Sequence, residues 1–290
     1  MDMDAEIEKA RKQILRDKHT LLEGYVVESL FERQFLSRND DAYTKDWWVT
    51  FCNGKRLFFI VKKELNDVDK KMRDLLSEDA EVWQIFDENG RWRFCNGGDF
   101  VEEQEFVNSH NLRRKNSGLT ASYDTRNDAR QQKCLRFFEA NGILLPVAHI
   151  RHFADDFMTE YFGGGVNMDF ITLKNGVLHV IEVKFKYENR AGAFGINIGQ
   201  YQLFEYLPQK GVVVDHFILY NSSKSKELSI FGFLESGYKK EWIWAVVLND
   251  KKQVRLSVAP RETSVNGMRE QAFVSIQKDK FVKVADLQTF

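Results

Sequence analysis

The sequence predicts an α/β protein: a mixed central sheet flanked by helices, with an α+β region before it and a β-rich extension after it. Three observations predict this. Apolar residues recur at helical spacing in residues 5–35 and 128–141. Short β-branched and aromatic runs flank turns built on Asn-Gly. From residue 128 to 220 the elements read α-β-β-β-α-β in order.

Taken from the start, Ile7, Ile14, Leu21, Leu22, Tyr25, Val26, Leu30 and Phe31 line one or two amphipathic helices. Runs at 47–52 and 56–61 form a hairpin around Asn53-Gly54, and after another helix a second hairpin pairs 82–86 with 91–95. Asn96-Gly97-Gly98 then breaks the pattern. Residues 107–127 are polar, with Asn116-Ser117-Gly118 at their centre, and read as a boundary or mobile loop. Beyond it come a helix over 128–141 closed by Gly142, a strand over 143–150 and a hairpin of 166–173 with 177–185. A helix near 196–207 and a strand over 212–220 follow, and 242–248 and 254–258 are the clearest strands of the remainder. The reading divides the chain into an α+β region at 1–106 for recognition or assembly, a core at 107–226 and a β-rich extension at 227–290.

Composition narrows the function classes. The chain of 290 residues is 43% hydrophobic and 29% charged, enough to bury a sizeable core. No apolar run approaches the ~20 residues that span a bilayer. The acidic start Met1-Asp2-Met3-Asp4 is unlike a secretory signal, so a cytoplasmic protein is expected. Cys52, Cys95 and Cys134 are too few and too scattered for a disulfide framework or a zinc site. With a net charge of -1, affinity for nucleic acid must come from local patches. One candidate patch runs from His110 to Arg136, with seven Lys or Arg against two Asp; it reads equally as a solvated face.

The informative segment is residues 166–185. Asn175-Gly176 sets a two-residue type I′ turn, because both positions need positive φ. Counting back from it pairs Leu173 with Leu178, Ile171 with Val180, Asp169 with Glu182 and Asn167 with Lys184. Alternation places these pairs on one sheet face and Met168, Phe170, Ile181, Val183 and Phe185 on the other. Two carboxylates opposed at ~4.5–5.5 Å between Cβ atoms repel unless something neutralises them. A Mg²⁺ ion, which takes oxygen ligands at ~2.0–2.1 Å and needs only one or two carboxylates, suits such a pair.

Asp169 followed by Glu182-Val183-Lys184 across a short hairpin resembles the signature of the PD-(D/E)xK nuclease superfamily, with Met168 where the family's proline would stand. Gln202-Leu203-Phe204-Glu205-Tyr206 resembles the Gln-x-x-x-Tyr element of its RecB-like branch. The α-β-β-β-α-β order resembles the restriction-endonuclease-like core, over under half of the chain. The resemblance implies a hydrolase of phosphodiester bonds, most naturally in DNA. Asp169, Glu182 and the Val183 carbonyl would hold Mg²⁺, with Mn²⁺ as a substitute, and Lys184 would orient water or stabilise the phosphate. Gln202 and Tyr206 would support the site, Glu139 is the candidate for a further acid on the preceding helix and Glu160 its weaker rival. Lys186 and Arg190, with Arg113, Arg114 and Lys115 of the basic run, are the expected nucleic-acid contacts, and Gly163-Gly164-Gly165 either a close approach to substrate or a connector. A homodimer, or a partner in a defence or repair complex, fits the same picture.

Other chemistries have weaker support. His149 and His152 fall at a strand end without the Glu of a His-Glu-x-x-His site, His110-Asn111 lacks the rest of an HNH motif, and no phosphate loop or nucleophile elbow is present. The alternatives to an enzyme are a noncatalytic nucleic-acid-binding or assembly subunit that keeps the nuclease fold, and an α/β interaction protein.

Overall fold

A computed structural model of the chain describes residues 3–37, 42–88, 90–114, 128–225, 227–247, 254–258 and 272–288. The chain opens with helices α1 (Met3–Ile14) and α2 (His19–Phe31), the second continuing as a π-turn over Glu32–Leu36. Then come β1 (Tyr43–Thr44), β2 (Trp47–Cys52), β3 (Lys55–Val61), α3 (Asp67–Leu76), β4 (Glu81–Glu88), β5 (Arg91–Cys95), β6 (Val101–Glu102) and α4 (Glu103–Ser109). A capping box starts α3: the Asp69 N–H donates to the Asn66 side chain and the Asn66 N–H to the Asp69 carboxylate.

The second half holds α5 (Asp128–Ala140), α6 (Leu144–His152), β7 (Val166–Met168), β8 (Phe170–Lys174), β9 (Val177–Lys186), β10 (Ala193–Asn197) and α7 (Ile198–Tyr206). It ends with β11 (Val213–Asn221), α8 (Ile230–Glu235), β12 (Lys240–Val246), β13 (Val254–Val258), β14 (Ala272–Gln277) and β15 (Val282–Asp286). The strands form a mixed central sheet in the order β1-β8-β9-β11-β12-β15, a second sheet β6-β5-β4-β3-β2-β7 and a small sheet β10-β14-β13. In the central sheet β9 and β11 run parallel, joined by α7, and their other neighbours are antiparallel. The protein is therefore α/β with mixed sheets. No helix among the described residues is long and apolar enough to cross a membrane.

The Asn-Gly turns behave as their chemistry requires. Asn53 and Gly54 have φ of 50° and 79°, and Asn175 and Gly176 have 49° and 81°. The second turn sets the expected register, pairing Leu173 with Leu178 and Ile171 with Val180. Ile171, Leu178 and Val180 pack into one core with α7 residues, and Phe170, Ile181 and Val183 into another under α2. Met168 is a correction: it packs with Ile171 and not with Phe170. The reason is a break in the strand. The chain leaves the second sheet at Met168 and enters the central sheet at Phe170, so Asp169 is the single residue between two sheets.

Residues 143–150, expected as a strand, are helical in α6, which runs on as a π-helix over Phe153–Phe162. Leu144, Val147, Ala148 and Arg151 are buried at helical spacing. Pro146 falls in the first turn, where its missing N–H is not needed. The expected α-β-β-β-α-β order therefore loses its first strand to α6. Nor do the sheets follow the divisions 1–106, 107–226 and 227–290: β1 and β12 join the central sheet from the outer segments, and β7 joins the second sheet from the middle one.

Candidate active site

The break between β7 and β8 places Asp169 where β9 can satisfy its side chain. Its Oδ2 accepts from the Val183 N–H at 2.8 Å and from Lys184 Nζ at 3.2 Å, and its Oδ1 from the Asn167 amide at 2.8 Å. Glu182 lies on β9, only 1% exposed. Its Oε1 accepts from Gln200 at 2.6 Å and from Lys184 at 2.5 Å, while its buried Oε2 has no hydrogen-bond partner among the described residues. Lys184 thus bridges the two carboxylates and brings Asp169, Glu182 and Lys184 together, although the expected pairs Asp169–Glu182 and Asn167–Lys184 do not form: the hairpin ladder stops at Phe170–Ile181, and Asn167 pairs with Trp48 of the second sheet.

A third acid approaches from α2. Glu28 interacts electrostatically with Asp169, Lys184 and Glu182, and burial, then the Asp169 charge, push its carboxyl well above the usual range. Burial, then Asp169, likewise raise Glu182 to about 7. Burial works against the Lys184 ammonium, but Asp169 and Glu182 outweigh it and raise its pKa. On the next outward-alternating position of β9, Lys186 is lowered to about 8 by burial and by Lys184, and it donates to the Gly195 carbonyl. His216, on the neighbouring parallel strand opposite Glu182, donates from Nδ1 to the Glu182 carbonyl at 3.2 Å. Burial, then Lys186, keep its ring well below the usual histidine pKa, so it is neutral, and its Nε2 has no partner among the described residues.

An open cleft lined by Glu28, Lys45, Asp46, Trp48, Asn167 and Asp169 reaches the Asp169 end of the site. Lys45 is held by Glu32, with both oxygens at 3.0 Å, and burial raises Asp46 to about 6.

No protein-family model, curated protein or solved structure matches the chain. What the site can do therefore rests on its own geometry. Its donor set is carboxylate oxygen, which suits a hard divalent ion. Among the described residues, no group of three or more His, Cys, Asp or Glu side chains is already placed to hold a metal ion. Lys184 stands between the two central carboxylates, so they are held as an ion-paired cluster. The partnerless Glu182 Oε2 is the one buried carboxylate oxygen of the pair with no bond to lose, and in that respect the residues fit an added cation.

Several expected site residues lie elsewhere. Glu139 is exposed on α5, paired with Arg11 at 2.6 Å, so the expected helix acid is not at the site; the helix acid beside the pair is Glu28, on α2. Glu160 pairs with Arg114 at the surface. Gln202 is exposed and turned away, because residues two apart on a helix point ~200° apart and Gln200 is the one facing Glu182. The Tyr206 hydroxyl donates to Asp79 at 2.6 Å, under a ring stacked on Phe58. Val183 enters the site through its N–H. Lys186 is turned inward rather than toward a phosphate, Arg190 and Arg113 are exposed, and Lys115 lies outside the described residues, as does the centre of the polar loop. Gly163 and Gly164 have positive φ at the end of the π-helix, and a Cβ on Gly165 would come 2.4 Å from the Met158 side chain and 3.0 Å from the Val49 carbonyl. These glycines serve local packing. His149 and His152 lie on α6 against the Trp92 ring, each 5.3 Å from it between centroids, not at a strand end.

Glu28, Gln200 and His216 were not singled out from the sequence. Glu28 and His216 carry a signal, a charged or polar residue against an apolar run, as in Val26-Val27-Glu28 and His216-Phe217-Ile218-Leu219, whereas Gln200, between Gly199 and Tyr201-Gln202, carries none.

Proposed function

We propose that the protein is a metal-dependent phosphodiester hydrolase of the PD-(D/E)xK kind, acting on nucleic acid and most naturally on DNA. The observation that carries this reading is the buried acid pair, Asp169 and Glu182, bridged by Lys184 at the crossing between two sheets, with Glu28 facing it. Two buried acids and half-buried Glu28 against one bridging lysine leave excess negative charge, which is costly unless a cation or protons relieve it. Asp169, Glu182 and Glu28 would hold the divalent ion, which when bound supplies Lewis-acid charge for the phosphate and the attacking water.

The chain's own groups do the rest. Asp169 is fixed by the Val183 N–H and Asn167, and Glu182 by Gln200, so the carboxylates are preorganised rather than gathered on binding. Lys184, displaced from the carboxylates toward an incoming phosphate, carries its charge to the developing oxyanion. Neutral His216 holds the backbone of Glu182 without adding positive charge.

A second reading, a noncatalytic nucleic-acid-binding or assembly subunit, is favoured by the closed Lys184 bridge, which already neutralises part of the pair without metal. Incubation with labelled duplex, single-stranded and junction DNA and with RNA, in Mg²⁺ or Mn²⁺ and in EDTA, separates the two. The hydrolase reading expects cleavage of at least one form in metal and none in EDTA. Intact substrates in all metals, with binding retained, favour the second reading.

A further inference from the structure

We propose that the cleft between the β2–β3 hairpin and α7 is a subsite for a nucleic-acid backbone phosphate outside the scissile position, with Arg56 as its cation. This rests on the proposed function for nucleic acid as the ligand and for where the cut falls. The cleft is lined by Thr50, Phe51, Arg56, Val166, Gly199 and Gln202. Arg56 faces Phe51 across the hairpin, and its guanidinium lies 5.2 Å from the Phe51 ring centre and 4.0 Å from that of Tyr206.

Three features suit this guanidinium to an anion. It is held flat by two rings, so little side-chain freedom remains to be lost on binding. Its buried Nε has no hydrogen-bond acceptor among the described residues. Asp79, whose charge it feels, is already taken by the Tyr206 hydroxyl at 2.6 Å and by Lys210 at 3.1 Å. The Phe51 ring at the rim is 52% exposed, and exposed Gln202 supplies an amide donor beside it. An aromatic, a guanidinium and an amide at one rim form a surface that tracks a sugar-phosphate strand.

The cleft is also close to the acid pair along the chain, although it shares no lining residue with the cleft that reaches Asp169. Val166 in its wall precedes Asp169 by three residues of mostly extended chain, ~10 Å, or about three stacked nucleotides of one strand. On the other wall, Gln202 is two residues from Gln200, which holds Glu182. This gives Tyr206 and Gln202 a place near substrate without a place at the carboxylates.

The test is fluorescence-anisotropy binding of labelled DNA and RNA oligonucleotides, in EDTA, across a salt series. Wild type is compared with Arg56→Gln and Arg56→Lys, with melting curves as folding controls. Arg56→Gln is expected to bind roughly tenfold more weakly. The slope of log affinity on log salt is expected to fall by about 0.9 for duplex or about 0.7 for single strand, while Arg56→Lys keeps most of the slope. A single methylphosphonate, scanned along the oligonucleotide, should weaken wild-type binding at one position to which Arg56→Gln is indifferent. If the Gln variant does not fold, the scan in wild type against Arg56→Lys carries the comparison: a shared sensitive position, shallower in Lys, supports the subsite. Unchanged affinity and slope in Arg56→Gln, or no sensitive position, overturns it. Binding of inorganic phosphate alone, dependent on Arg56, with no oligonucleotide binding, also overturns it. An Arg56-dependent protein that never cleaves in Mg²⁺ keeps the subsite and loses the hydrolase reading; a cleaving protein indifferent to Arg56 does the reverse.

Discussion

The Asp169 carboxylate accepts the backbone N–H of Val183 at 2.8 Å, and this one bond ties the junction of two sheets to the strand that carries Glu182 and Lys184. A strand partner would normally take that N–H through a carbonyl. Here a side chain takes it because the chain crosses between sheets at Asp169. The acid is therefore both a structural link and a member of the candidate site.

That double role predicts different costs for two substitutions. Asp169→Ala leaves a buried N–H unpaired and should destabilise the fold by about 1–3 kcal/mol. Glu182→Gln relieves a crowded, partnerless carboxylate oxygen and should leave stability unchanged or raised. Denaturant melts of the two variants in EDTA check this; equal losses would mean that Asp169 does not hold the junction.

Lys184 should matter for folding as well as for chemistry. Its side chain is 26% exposed, and it pairs with two carboxylates that are almost wholly buried. Lys184→Met strands both charges, and its loss without metal should be on the order of 3 kcal/mol, the lower end of the range for breaking a buried pair. Mg²⁺ should restore much of that loss, since it replaces the missing cation. A variant as stable as wild type in EDTA would show that the bridge contributes nothing.

The pH dependence follows from Glu182. Its carboxyl, raised to about 7 by burial and then by Asp169, holds its proton more tightly folded than unfolded, where 4.5 is usual. The unfolded chain therefore releases that proton first, and wild type loses stability as pH rises from about 4.5 through about 7. In EDTA the melting-temperature advantage of Glu182→Gln over wild type should widen across that window and flatten above it. A gap that is constant with pH would contradict the raised carboxyl.

A divalent ion bound by the folded site alone should stabilise it by about 2.7 kcal/mol at a hundredfold excess over Kd. Asp169→Asn, Glu182→Gln and Glu28→Gln should each lose most of the rise in melting temperature, and Glu139→Gln, paired with Arg11 on the surface, should keep it. A full rise in Glu28→Gln would remove that residue from the metal set.

The sequence makes the core of the site legible because an Asn-Gly turn leaves one register, and that register, formed as far as Phe170–Ile181, leaves Asp169 at the end of the ladder beside Glu182 and Lys184. Glu28 is not legible in this way. It reaches the site through the packing of α2 on β9, a contact about 150 residues apart that no local pattern encodes. The Gln-x-x-x-Tyr letters point to Gln202, yet Gln200 faces Glu182, because the rotational setting of α7 depends on its burial against two sheets. Residues 143–150 look like a strand because a short apolar run has no distinguishing period; burial on one side of a helix decides it only in three dimensions.

The central claim is that the Asp169, Glu182 and Glu28 carboxylates support metal-dependent hydrolysis of a phosphodiester. It is tested most directly by single-turnover cleavage of a labelled oligonucleotide, taken from whichever form wild type binds, with protein in excess. The account predicts strand cleavage by wild type that needs Mg²⁺ or Mn²⁺ and stops in EDTA, with at least a hundredfold loss in Asp169→Asn and Glu182→Gln, both still folded and still binding DNA. Cleavage that persists in those variants, or a wild type that binds the oligonucleotide and leaves it intact in every metal, would contradict it.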